Sequence, residues 1–159
     1  MRVKTSNMNI WLLTHSEERK KKTGTGKLVQ EVLMAQCRMI EWARKNPHPE
    51  LLALNPSTTA IVYLVNQDSP TLESDTFSSI QNIIILDGTW QQARKMYNQS
   101  PYLKNFPHYE IQGEKSIYTK RKNQKEAGLC TAEVVIHLLN KAKYPQAAAL
   151  KERFLEFNQ

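Results

Sequence analysis

Four consecutive residues, Asp87, Gly88, Thr89 and Trp90, combine side chains that could perform acid–base chemistry. They follow the run 82–86, whose isoleucines and leucine are typical of a strand that is buried on both faces. Ligands of open α/β sheets usually bind beyond the carboxyl ends of such strands, where a carboxylate can act as a general base. The alternative is that Asp87 only caps the helix that is predicted to follow.

A second candidate site precedes the first predicted helix. The segment 22–28 resembles a phosphate-binding P-loop in its glycines and in Lys27. The pattern fails because Lys21 stands where the first glycine is needed and because the magnesium-binding hydroxyl is missing. This excludes a P-loop nucleoside triphosphatase and leaves an anion site at a helix N-terminus. Simple capping of that helix by Thr25 or Gly26 is the alternative.

Two basic segments indicate an anionic partner. Residues 19–22 are all positively charged and include no aromatic side chain, so they could attract phosphates or simply form a solvated loop. The second segment, 115–125, contains Tyr118, which could stack on a base and makes this segment the better candidate for RNA. The formal charge of +7 fits both segments, although many basic domains bind no nucleic acid.

Spacing and composition argue against several other classes of site. Cys37 and Cys130 lie far apart and neither belongs to a Cys-x-x-Cys pair, so two reduced thiols are expected rather than a zinc site. The histidines form no evident metal constellation, and no metal is expected. The apolar stretch before Thr14 is too short for a signal-peptide core or a membrane span. We therefore expect a cytoplasmic protein with no membrane partner.

The elements that must position these residues follow from the apolar pattern. Short runs rich in β-branched residues predict strands over 10–13, 60–65 and 82–86, with a weaker strand at 109–112. Apolar residues at helical spacing predict helices over 26–45, 91–97, 131–143 and 146–157. A flexible basic loop is expected over 16–27. Because strands alternate with helices, we predict one α/β domain over 1–159 with three layers and a mostly parallel sheet.

Several segments together resemble the DTW-domain family, which is named for an Asp-x-Thr-Trp signature. Besides 87–90, the resemblance rests on segments that occur in the same order, namely 15–18, 23–28, 55–57, 118–122 and 129–133. It covers the chain from about residue 10 to about residue 140. Many members begin with a cysteine-rich segment suited to zinc, which this chain lacks before Trp11. Cys130 and Gly24 also replace the serine and asparagine that are usual in the family.

The resemblance implies a fold similar to the SPOUT methyltransferases, with a trefoil knot near the C-terminus. It also implies S-adenosylmethionine-dependent transfer of a 3-amino-3-carboxypropyl group to the ring imide nitrogen of a uridine in tRNA, in the variable loop. Which carbon of the co-substrate is placed in line with the nucleophile decides the product. Asp87 is the expected base, provided that burial against Trp90 desolvates it, because an isolated aspartate with a pKa of ~3.9 is a weak base.

The resemblance further implies roles for individual residues. Asp87, Thr89 and Trp90 are expected to form the catalytic centre. Co-substrate contacts are expected from Leu86, Asp87, Gly88, Thr89, Trp90, Leu129, Cys130, Thr131 and Glu133. Substrate contacts are expected from His15, Glu17, Lys20, Lys21, Lys22, Thr25, Lys27, Tyr118, Arg121 and Lys122. Within these sets, Glu133 would bind the methionine amino group, and Arg121 would bind its carboxylate or an RNA phosphate.

Two other functions compete with this one. A SPOUT-type RNA methyltransferase would use the same co-substrate and transfer its methyl group. A non-catalytic RNA-binding module would use only the basic segments, with Asp87 as a helix cap.

Overall fold

A five-stranded sheet forms the centre of the structure, a computed structural model that describes residues 8–20, 24–64, 79–111, 116–118 and 129–159. Its strands are β1 (Asn9–Thr14), β2 (Cys37–Glu41), β3 (Thr59–Val62), β4 (Asn82–Asp87) and β5 (His108–Tyr109). All pairings are parallel, and the order is β2-β1-β4-β3-β5. The predicted α/β class with a parallel sheet is confirmed.

Helices cover both faces of this sheet. They are α1 (Ser16–Arg19), α2 (Gly26–Leu33), α3 (Pro49–Leu52), α4 (Trp90–Asn98), α5 (Thr131–Lys141) and α6 (Gln146–Phe157), with 3-10 turns at Met34–Gln36 and Pro101–Asn105. Within the described residues, every helix is too short or too polar to cross a membrane.

Strand side chains alternate between two apolar layers. Ile10 and Leu12 of β1 pack with α2, α5 and α6, whereas Trp11 and Leu13 pack with α3 and α4. The residues of β4 alternate in the same way, because successive side chains of a strand point to opposite faces. The central strands are therefore apolar between their polar first and last residues, which is why the sequence predicts them well.

The helix predicted over 26–45 is wrong beyond Leu33. Met34, with φ of 50°, ends α2, and residues 37–41 form β2 instead. The spacing of Met39 and Ile40 fits a helix as well as a strand. The choice is made by β1, whose edge pairs with β2 along its full length, from Ile10 opposite Cys37 onwards.

The other predicted elements differ from the structure only near their ends. The strands predicted at 10–13 and 82–86 and the helices at 91–97, 131–143 and 146–157 are confirmed within two residues. β3 ends earlier than predicted, at Val62, and β5 contains only two residues. Residues 65 and 112 of those predicted strands lie outside the described part. The short helices α1 and α3 were not predicted.

The order of the strands places a topological switch point between β1 and β4. From β1 the chain passes through α2 to β2 on one side, whereas from β4 it passes through α4 to β5 on the other. The connections beyond the two central strands therefore diverge. Open α/β sheets bind ligands at this kind of switch point.

A buried histidine links β5 to α4. His108 Nδ1 lies 2.8 Å from the carbonyl oxygen of Phe106, which can only accept, so Nδ1 carries the proton. Nε2 then accepts a hydrogen bond of 2.6 Å from the Tyr97 hydroxyl. The ring is fully buried, and this burial lowers the pKa of His108.

We expect His108 to make stability depend on pH. Because its pKa in the folded protein lies below the ordinary ~6.5, the unfolded chain takes up the proton first as the pH falls. The contribution to stability is complete above about pH 6.5 and declines as the pH falls below that value. Urea midpoints measured on either side of this pH should fall more steeply for the wild type than for His108→Gln. If the urea midpoints of the two proteins change equally with pH, His108 is not the source of the pH dependence.

Candidate active site

The carboxyl ends of β1 and β4 place Asp87 beside Thr14. The two residues are paired in register at the last position of their strands. Alternation along the strands directs both side chains to the face covered by α2 and α5, and Asp87 is only 2% exposed. A carboxylate so far from water must find hydrogen bonds or positive partial charges inside the protein.

Two threonine hydroxyls donate hydrogen bonds to Asp87. Thr14 Oγ1 lies 3.1 Å from Oδ2, and Thr131 Oγ1 lies 2.6 Å from Oδ1. Thr131 begins α5, and Gly26, which begins α2, packs against Oδ2. The positive ends of two helix dipoles thus meet at the carboxylate and favour its negative charge.

Gly26 approaches the carboxylate so closely that a side chain does not fit. A Cβ atom added there would lie 2.6 Å from Asp87 Oδ2 and 3.4 Å from Leu12 Cδ1. The aspartate is held by two hydroxyls and cannot shift without losing hydrogen bonds. Glycine is therefore required at this position for steric reasons.

Thr25 connects the start of α2 to the start of α5. Its buried hydroxyl accepts a hydrogen bond of 3.0 Å from the backbone N–H of Ala132. Thr25 occupies the N-cap position of α2, as one predicted alternative has it, but its side chain does not cap that helix and satisfies an N–H group of α5 instead. Its predicted contact with substrate stays a prediction.

Thr89 is the residue that caps α4. Its hydroxyl accepts a hydrogen bond from Gln92 N at 3.1 Å, and Gln92 Oε1 accepts one from Thr89 N at 2.8 Å. Gly88 makes room for this capping box, since a Cβ there would lie 2.8 Å from Gln92 Oε1. The alternative that Asp87 serves only as the helix cap is therefore wrong.

The whole chain that contains this arrangement matches the model of one protein family. The family model of the DTW domain matches residues 1–159. The chain belongs to the DTW-domain family. This confirms the resemblance found in the sequence, and membership is consistent with a tRNA-modifying role. No solved structure matches the chain.

Trp90 of the DTW motif lies on the opposite face of the sheet from the carboxylate of Asp87. The indole is 44% exposed and stacks on Tyr63, with the ring centroids 6.1 Å apart, beside α4. The prediction that Trp90 buries Asp87 is therefore wrong, because Gly26 and the start of α5 pack against the carboxylate on the other face.

Glu133 anchors the segment 116–118 to the first turn of α5. Its carboxylate accepts hydrogen bonds from Ser116 Oγ at 2.5 Å, Ile117 N at 2.9 Å and Cys130 N at 3.0 Å. These contacts give Glu133 a structural role. Its predicted contact with a methionine amino group stays a prediction.

A cleft of about 570 Å³ opens beside this anchor, between α5 and α6. Of the predicted co-substrate residues, Leu129 and Glu133 line it, together with the positively charged side chains of Lys141 and Lys151. Its volume falls within the range of small-molecule sites.

Tyr118 is a core residue, and its prediction as a base-stacking residue is wrong. The side chain is 1% exposed and packs between α6 residues Phe154 and Phe157, at ring-centroid distances of 5.7 Å and 6.3 Å. Its basic neighbours in the sequence suggested an RNA-binding segment, whereas the hydrogen bonds of Glu133 hold residues 116–118 against the apolar layer.

The remaining predicted substrate residues are only partly described. His15 follows β1, accepts a hydrogen bond from Glu17 N at 3.1 Å and stacks on Trp42. Glu17, Lys20 and Lys27 are exposed near the same edge of the sheet. The predicted residues that lie outside the described part are Lys21, Lys22, Arg121 and Lys122.

The two thiols lack the chemistry of nucleophiles. Burial raises the pKa of both Cys37 and Cys130 to about 12, and the charge of Asp87 adds to the effect on Cys37. Both are therefore protonated at neutral pH and unsuited to covalent catalysis. Within the described residues, no three His, Cys, Asp or Glu side chains form a group that could hold a metal ion.

Sequence reasoning missed Thr14 and Gly26, the two nearest neighbours of Asp87 on β1 and α2. Thr14 had a signal, since it ends the apolar run 10–13 just as Asp87 ends its own strand. Gly26 lies in the segment 22–28 that the sequence singles out, but its contact with Asp87 could not be predicted, because the two residues meet only across the fold.

We expect Gly26→Ala to destabilise the protein by about 1–3 kcal/mol, as overpacking of a closed site does. Urea denaturation measures the effect. The same substitution in an Asp87→Ala background should cost less, because the oxygen that the new methyl group meets is gone. Equal costs in the two backgrounds would show that the contact with Asp87 is not the cause.

Proposed function

We propose that the protein is a single-domain, cytoplasmic tRNA-uridine aminocarboxypropyltransferase that uses S-adenosylmethionine as co-substrate. The product would carry a 3-amino-3-carboxypropyl group on the ring imide nitrogen of a uridine in the variable loop. The observation that carries the proposal is the buried Asp87, at the switch point of a DTW-family sheet and hydrogen-bonded to the half-buried Thr131.

Residues around α5 have the chemistry to hold the co-substrate. The cleft of about 570 Å³ has a suitable size, and Leu129 gives it an apolar wall. Glu133 offers a carboxylate for the amino group, and Lys141 and Lys151 offer positive charge for the carboxylate. S-adenosylmethionine supplies an electrophilic methylene carbon bonded to a positively charged sulfur.

Asp87 and Thr131 together would remove the imide proton of the uridine. Because Asp87 is almost fully buried, a nucleotide reaches the Thr131 hydroxyl before it reaches the carboxylate. The imide proton passes to Thr131 Oγ1 while the hydroxyl proton passes to Asp87 Oδ1 along their 2.6 Å hydrogen bond. Thr14, which donates to Oδ2, keeps the carboxylate oriented.

Of the two competing functions, the methyltransferase remains an alternative and the non-catalytic module loses support. A SPOUT-type RNA methyltransferase stays the nearest alternative, because it would use the same co-substrate and the same base. The knotted SPOUT-like fold stays a prediction as well, since residues 119–128, which lead into α5, lie outside the described part. The non-catalytic RNA-binding module loses its explanation of Asp87, because Thr89 caps α4.

The position of an isotopic label distinguishes the two transfers. We expect tRNA incubated with the protein and S-adenosylmethionine to gain label from the carboxypropyl group and none from the methyl group, with release of methylthioadenosine. Mass spectrometry of the tRNA nucleosides measures both. Methyl label in the RNA would identify a methyltransferase. The tRNA substrate is prepared from cells that lack the gene, so that its target uridine is unmodified. If this tRNA gains neither label, the non-catalytic module is supported.

Variants of Asp87 and Thr131 test the proton path. Asp87→Asn and Thr131→Val should each lower the single-turnover rate by about 100-fold or more, because general-base catalysis contributes roughly 10²–10⁴. Thr131→Ser keeps the hydroxyl and should retain most of the activity. Melting temperatures control for folding. Full activity of Thr131→Val would show that the Thr131 hydroxyl is not part of the proton path. Full activity of Asp87→Asn would show that Asp87 is not the base.

A further inference from the structure

Trp90 presents an aromatic surface to solvent at the carboxyl edge of the sheet. Although indole is the largest apolar side chain, 44% of Trp90 is exposed. It stacks on Tyr63 with an interplanar angle of 25°, and Tyr63 stacks on Tyr97 with the ring centroids 4.0 Å apart. The three rings form a continuous stack whose outermost member is the exposed indole.

The inner end of this stack is held rigidly. Tyr97 is buried and donates its hydrogen bond of 2.6 Å to His108, which is itself held by the carbonyl of Phe106. A planar surface that is already fixed loses little conformational entropy when a ligand stacks on it.

Positive charge lies one helical turn from the indole. Arg94 is exposed and follows Trp90 by four residues on α4, so the two side chains share one face of the helix. The charge of Arg94 also acts on Tyr63, whose pKa it lowers against the larger raising effect of burial. An aromatic surface beside a guanidinium group suits a base together with its phosphate.

We propose that Trp90, supported by Tyr63, stacks a base of single-stranded RNA next to the nucleotide that is modified, while Arg94 binds the adjoining phosphate. This inference rests on the proposed function, in which RNA is the substrate. Trp90 and Asp87 lie on opposite faces of the sheet at the same edge, so they hold neighbouring nucleotides rather than one. The adenine of the co-substrate fits less well, because Leu129 and Glu133 lie on the α5 side.

Binding of a short fluorescein-labelled oligouridylate, without co-substrate, tests the platform. Trp90→Ala should weaken the affinity by about tenfold to a hundredfold, the range of one lost base–aromatic stack, whereas Trp90→Phe should lose much less. Arg94→Gln should weaken binding and flatten its dependence on salt. Neither change at Trp90 should affect binding of the same sequence in a duplex, whose bases are already stacked, whereas Arg94→Gln should weaken duplex binding as well, because a duplex carries the same phosphates.

Met34→Ala is the matched control. It removes an apolar side chain that is 71% exposed from the 3-10 turn before β2, at the amino-terminal end of that strand, and should bind like the wild type. Melting temperatures show whether each variant is folded.

The outcomes separate this inference from the proposed function. Wild-type affinity of Trp90→Ala for the oligouridylate overturns the inference even if the wild type transfers the carboxypropyl group. The inference is also overturned if Trp90→Ala binds S-adenosylmethionine more weakly but binds RNA normally. In that case the indole contacts the adenine of the co-substrate. RNA binding that depends on Trp90 in a protein that transfers no label supports the inference and overturns the proposed function.

Discussion

The burial of one negative charge, that of Asp87, constrains every element around it. Within the described residues, β1 brings Thr14 beside the carboxylate, and α5 begins with Thr131 at hydrogen-bonding distance. The same charge requires α2 to begin with a residue that has no side chain, because Gly26 packs against Oδ2. The hydrogen bond from Ala132 N to Thr25 then fixes the two helix starts relative to each other. A shift in any of these elements would remove a contact that stabilises the buried carboxylate, and lost hydrogen bonding to a buried charge is destabilising.

The motif at residues 87–90 serves both faces of the sheet. Asp87 turns towards α2 and α5, Thr89 caps α4, and Trp90 stacks on the α4 side. Gly88 separates these roles, because only a glycine leaves room for the capping box. Four adjacent residues can therefore act on different parts of a bound molecule. Their proximity in sequence says little about which of them share a contact.

The sequence predicts the centre of this fold better than its margins. The interiors of the central strands are apolar because helices cover both faces of the sheet, and this pattern predicts buried strands. The prediction of a helix over 26–45 was wrong beyond Leu33 because Met39 fits the periodicity of a helix as well as that of a strand. Pairing with β1 makes this segment a strand. The prediction of a base-stacking role for Tyr118 was wrong because its neighbours in the sequence are charged, whereas its burial depends on contacts with α6. Asp87 was found from its place at a strand end, but the need for Gly26 is visible only in three dimensions.

The contacts of Asp87 are also long-range in sequence. Its hydrogen bonds join residues separated by 73 and 44 positions, and the bond between Thr25 and Ala132 spans 107. Closing such long loops carries an entropic cost, which the packing of the whole domain must offset. Without α5, Asp87 lacks the Thr131 hydroxyl, and Thr25 has no N–H donor from that helix. The candidate site therefore depends on segments from both halves of the chain, and a chain that stops short of α5 lacks one of its walls.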